Sequence, residues 1–388
     1  MEHDVRPPVS SDGARGRAWL AALLLQRQSR LMPRFALALA RLRALPRGQR
    51  QRLKRRAAAT LAGAALVLAI GAASFGPPGA GVAHAATITV ANGEIAVNDN
   101  GMCSLIEAII NAEDGGLTHD DCAAGTAGAD TISLPAGGSF GFSAVYIFDQ
   151  GKNGLPTIDT EVVIAGNGAT LDLNGRGTGM RLARVSSIGD LTVQDATITD
   201  GDVWEGGLAG GGVFRVDGGA LTIQGGALTD SWAVNYGGAI AGLNGAEITV
   251  SAATLSGSIA LSGGAVYGRD SDVTLIDCAI NDNTGYYLGG AVQVNGGSLT
   301  IEGGSITENG WDPGLTGLDP LVEDGGGVFA SSATVEIRDA IIDRNGASSS
   351  GGGVRLEGVV GAAIIATTIT NNSSGVGGGV QWGAFGNS

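Results

Sequence analysis

Basic residues are nearly confined to one end of this chain. Of its 23 lysines and arginines, 14 lie in the first 85 residues, together with only three of its 37 acids, Glu2, Asp4 and Asp12. The remainder carries 9 basic and 34 acidic residues, a net charge of −25. Such a surface repels nucleic acid and anionic lipid, so neither is an expected partner. Lysine and histidine are scarcer still. Beyond residue 85, Lys152 is the single lysine and His119 the single histidine. A lysine base is thereby excluded from the repeats. Cysteine numbers three, with no Cys-x-x-Cys or Cys/His spacing, so nothing points to zinc. No repeat holds an unbroken stretch long enough for a helix.

What is abundant is glycine, 68 residues of 388. Much of it falls in one signature, Gly-Gly-[Ala/Gly]-[Val/Ile], which ends on Val213, Ile240, Val266, Val292, Val328, Val354 and Val380. The intervals are 27, 26, 26, 36, 26 and 26 residues. A fixed period in this range predicts a solenoid of stacked units. The long interval reads as one regular turn carrying an insertion. Each unit then repeats a β-branched alternation, as in Leu221-Thr222-Ile223, Ile248-Thr249-Val250 and Leu299-Thr300-Ile301. About five residues later comes another apolar position: Leu228, Leu255, Ile280, Ile306, Ile342 and Ile369. Short period-two runs between turn residues predict strands, several per turn. The fold class is therefore all-β, a parallel β-helix of roughly nine coils with about 26 residues each, over residues 136–388. Asn283, Asn309, Asn345 and Asn372 recur three residues past the apolar position. Stacked coils would set them above one another as a structural asparagine ladder.

The first 85 residues have another character. The basic run Arg47–Arg56 precedes an apolar stretch at 57–75, then Ala83-His84-Ala85. These are the parts of a secretory signal peptide, and they predict export to the cell surface or medium. An uncleaved anchor is the alternative, since the stretch could just span a bilayer; no span is expected after it. The last coil is cut short at Ser388, so a missing C-terminal region or anchor is expected. In an exported chain Cys103 and Cys122 are expected to pair. Cys278, beside Ala279 and Ile280, reads as a small buried hydrophobe.

Residues 86–135 predict a cap. Ser104 and Glu107 form a capping box, and Leu105, Ala108, Ile109 and Ala112 share one helical face. One short helix would cover the open end of the first coil, pinned by the disulfide. The run Asp99-Asn100-Gly101-Met102-Cys103-Ser104-Leu105-Ile106-Glu107-Ala108-Ile109, with Cys122 and Gly128–Ile132, resembles the CSLREA domain of exported bacterial proteins. It departs from that pattern at Ile106, where the family usually has arginine. The glycine signatures with downstream asparagine resemble the repeats of polymorphic outer-membrane proteins and pectin-lyase-like β-helices. That resemblance implies a right-handed helix and a surface or secreted protein; it supplies no reaction.

Catalytic residues are not singled out. Beyond residue 85 the Gly-His-Gly and Arg-x-Lys motifs of polygalacturonase-like enzymes are missing. Asp230, Asp282, Glu308 and Asp343 stand near one turn, and Asp282 and Glu308 are equivalent on consecutive coils, a spacing that suits weak Ca²⁺ binding better than catalysis, and bare solvation better than either. No cofactor is required. The insertion holds Trp311, Asp312, Asp319, Glu323 and Asp324, which could meet a sugar ring and a cation. Trp204, Trp232, Tyr236, Tyr286 and Tyr287 fall in the corresponding turns of other coils. Stacked on one edge, they would make an aromatic strip for a polysaccharide or cell-surface glycan; the plainer alternative is rings packed over loop bases. The expected function is an exported, non-enzymatic adhesin-type or scaffold protein, with a polysaccharide lyase or hydrolase as the alternative and a structural spacer as a third.

Overall fold

Alternating Val, Ile, Leu and Thr leaves one face of every short strand apolar, and the chain buries that face by coiling around it. The structure, a computed structural model, describes residues 85–175, 179–204, 210–310 and 323–383. One coil runs through Phe214–Asp217, Ala220–Gln224, Ala227–Thr229 and Trp232–Ala233 before the next glycine signature. Every one of these strands pairs in parallel with its counterpart on the neighbouring coils. Leu221 lies between Leu191 and Ile248, and Leu228 between Ile198 and Leu255. All six are at most 1% exposed, so the period-two pattern is the core pattern. About eight turns of about 27 residues result, rather than nine. The long interval is indeed an insertion, since Val292 pairs with Val328 and the register resumes unbroken.

The glycine pair is a stacking device. The first glycine, as in Gly237 with φ 58°, turns the chain through the left-handed region. The second has no room for a side chain: a Cβ at Gly238 would strike the carbonyl oxygen of Gly264 on the next coil. Any residue but glycine there would force the coils apart.

The asparagine ladder is present. Asn309 Oδ1 accepts from the backbone N and from Nδ2 of Asn283, both at 3.0 Å, while Asn309 Nδ2 donates to Ile280 O, Thr307 O and Asn345 Oδ1. Asn345 repeats the arrangement with Asn372. Going back along the chain the column continues with Ser258, whose N–H donates to Asn283 Oδ1, and then Ser231. The residue just before each rung sits in the left-handed region: Asp200, Asp230, Gly257, Asp282, Glu308, Arg344 and Asn371, with φ from 51° to 65°. Asp and Asn tolerate that conformation better than most residues, which explains their recurrence at this corner.

The cap is as expected. The helix Leu105–Asp114 carries the reciprocal Ser104/Glu107 capping box and buries Leu105, Ala108, Ile109 and Ala112. Cys103 and Cys122 form a disulfide. The Glu113 carboxylate accepts from the backbone N–H groups of Asp159 and Thr160, tying the cap to the coils; burial nonetheless raises its pKa. Cys278 is free and buried in a column otherwise of small residues, and burial pushes its thiol pKa up.

Replacing Asn309 by alanine leaves the Asn283 backbone N–H without its acceptor and takes a donor from Ile280 O, Thr307 O and Asn345 Oδ1 inside the column. The expected loss is about 3 kcal/mol, read as a lower urea midpoint, against under about 1 kcal/mol for Asn281→Ala, whose amide meets only Asp282 at the surface.

Candidate functional site

One side of the helix carries its own small parallel sheet, made of Asp202–Val203, Trp232–Ala233, Ile259–Ser262 and Thr284–Leu288. Val203, Ala233 and Ala260 point into the core. Their neighbours Trp232 and Ile259, in register, therefore point outward, while Asp202, in register with them and lining the cleft, is itself buried. Trp204 and Tyr286, two residues further along their chains, face the same way. The corner residues Asp200 and Asp230 border this face. Together with Gly175, Gly201, Ser231 and Gly257 these side chains line a cleft of about 900 Å³. Trp204 is 50% and Trp232 38% exposed, so large apolar rings remain uncovered.

The cleft lining includes three carboxylates and one serine beside the Tyr286 hydroxyl and the two indole N–H groups. Asp200 and Asp230 lie on adjacent coils, about 4.8 Å apart along the axis. Asp200 accepts from its neighbour Thr199 Oγ1. The Asp230 carboxylate lies over Gly257 of the next coil, where a Cβ would strike its Oδ1. At the cleft edge the Lys152 ammonium sits 5.6 Å from the centre of the Trp204 ring.

Lys152 belongs to a hairpin, Ile147–Phe148 with Lys152–Asn153, which covers a set of buried charges. Arg184 donates to Asp149 at 2.6 Å and to Asp217 at 2.7 Å; Arg215 reaches both oxygens of Asp217 at 3.0 Å. Arg181, fully buried, gives Nη1 to Gln150 O, while its Nε and Nη2 have no partner. Burial and then the nearby Arg215 pull the Arg181 pKa down to about 9. Burial would raise Asp149 and Asp217, but hydrogen bonds from Thr157 and Arg184 to the first, and from Arg215 and Arg184 to the second, lower both below the ordinary carboxylate value.

The expected aromatic strip is thus only partly assembled. Trp204, Trp232 and Tyr286 share the cleft. Tyr236 does not, because it lies beyond the sheet at the glycine corner and stacks on Tyr267, ring centres 4.6 Å apart. Tyr287, on the opposite face of its strand from Tyr286, is 52% exposed and outside the cleft. Trp311, Asp312 and Asp319 lie outside the described residues. The acids expected to gather around a cation have other partners. Glu308 pairs with Arg344 at 2.8 Å, Asp282 accepts from Asn281 Nδ2, and Asp324 accepts from the N–H and hydroxyl of Ser350. Glu323 joins its coil through backbone bonds to Tyr287 and Ser349. Among the described residues no three His, Cys, Asp or Glu side chains converge as an ion site. Asp200 and Asp202 were not singled out from sequence. Aligning Thr197-Ile198-Thr199 with Ala227-Leu228-Thr229 would have placed Asp200 beside Asp230.

Asp217→Asn leaves Arg184 and Arg215 without their shared carboxylate. The expected cost is about 3 kcal/mol or more at pH 7. Because the folded pKa of Asp217 lies below its unfolded value, this stabilisation is complete above about pH 4 and is lost as pH falls through the folded value. Denaturant titrations of both proteins from pH 7 to pH 2.5 should show the gap closing in that window.

Among the described residues no helix is long and apolar enough to cross a membrane. No curated protein and no solved structure matches the chain. A family model described as a right handed beta helix region matches residues 178–358, and these coils form such a right-handed parallel β-helix.

Proposed function

We propose that this is an exported β-helical protein that binds carbohydrate through the Trp204–Trp232–Tyr286 cleft without transforming it. The observation that carries the reading is the cleft itself: three aromatic rings from three coils, partly exposed, on one rigid parallel sheet. Flat apolar faces with polar edges suit sugar rings, which present C–H faces and hydroxyl rims. A sheet held by backbone bonds on both sides presents those rings at little entropic cost on binding. Export is supported by the basic, apolar and small-residue segments of residues 47–85 and by the Cys103–Cys122 disulfide. The resemblance of residues 86–135 to the CSLREA domain is consistent with that compartment.

The test is retention on a panel of immobilised neutral, acidic and amino polysaccharides, with soluble products assayed in parallel. Retention without new reducing or unsaturated ends is expected. Trp232→Ala should cost about 2 kcal/mol, a roughly thirtyfold weaker Kd. No retention on any polymer would end this reading. New chain ends would replace it with a polysaccharide-cleaving activity.

A further inference from the structure

We infer that the cleft prefers glycans carrying protonated amino groups, the deacylated amino sugars, over uronates, an inference that rests on the carbohydrate-binding reading above. Three observations converge. First, the only ionisable side chains besides Tyr286 that line the cleft are Asp200, Asp202 and Asp230; no arginine or lysine lines it among the described residues.

Second, of the acids at the left-handed corner only the last has an ion pair among the described residues. Away from the cleft, Glu308 is neutralised by Arg344, which also meets Asp343. At the cleft, no ion pair among the described residues reaches Asp200 or Asp230. Gly257 makes room for the Asp230 carboxylate beside Trp232. A ligand ammonium placed there would pair with these carboxylates; a uronate carboxylate would be repelled by them.

Third, the chain shows how an ammonium is received at this surface. The Lys152 Nζ sits 5.6 Å from the Trp204 ring centre, a cation–π contact at the edge of the cleft. An amino sugar on Trp232 would repeat it one coil along, with Asp230 and Asp200 as counter-charges. Trp232 and Tyr286 would hold the ring faces, and the carboxylates would choose among sugars.

Isothermal titration of the protein with glucosamine, N-acetylglucosamine and galacturonate hexamers, at pH 5.5 and low salt, tests this. The glucosamine hexamer should bind at least about tenfold more tightly than the acetylated one, and the uronate not detectably. The advantage should fall with added salt and as pH rises until the amines lose their protons. Asp230→Asn and Asp200→Asn should each erase most of that advantage; asparagine suits this left-handed corner, so both variants keep the fold. Trp232→Ala should weaken both. Equal binding of the two hexamers, tighter uronate binding, or an advantage untouched in the aspartate variants overturns the amino-sugar preference and leaves carbohydrate binding standing. Equally tight binding of oligolysine also overturns it, as charge alone would then suffice. Failure of all three hexamers to bind the folded protein defeats the carbohydrate reading itself.

Discussion

The backbone amides of one coil find their carbonyls in the next, and the rest of the molecule follows from that dependence. A coil cannot satisfy its own backbone, so neighbours must share register over every strand. Register in turn sets identical positions above one another. It makes the glycine after the left-handed one obligatory, as at Gly212, Gly238 and Gly264, because two backbones meet there with no room for a Cβ. It also converts isolated asparagines into a continuous hydrogen-bonded column, satisfied at every buried amide.

The cleft is a by-product of the same stacking. Strand alternation sends Val203, Ala233 and Ala260 inward, and with them fixed, Trp232 and Ile259 have no choice but the outer face. No loop is needed to shape the surface. Its rings are placed by the strands themselves, and its carboxylates by a corner conformation that selects aspartate. The chemistry of the site is therefore distributed over consecutive coils, each supplying one or two groups.

Whatever obeys the period was legible in the sequence. The strand columns through Leu221 and Leu228, the Asn283–Asn372 ladder, the inserted turn and the Ser104–Glu107 cap all follow from local pattern plus a constant repeat. The groupings that break the period were not. Tyr236 is four residues from Trp232, yet it lies beyond the end of the Trp232–Ala233 strand, just before the glycine corner, and stacks on Tyr267 instead. Asp200 belongs to an early coil without the full glycine signature, and its equivalence to Asp230 emerges only once the strands are paired. The charges around Arg181 join the hairpin at 147–153 to Arg184 and Arg215 of two later coils, a contact that no repeat announces. Conversely, Glu308 and Asp282 looked like a matched pair because they share a column, but the next residue of that column is Arg344.

The hairpin over the arginines also gives the protein a chemical reporter. Beyond residue 85 the chain offers acylating reagents a single side-chain amine, and that amine, on Lys152, rests on Trp204. Within residues 86–388 a lysine-directed label or protease is thus addressed to the rim of the aromatic face, and its rate of reaction responds to what covers that ring.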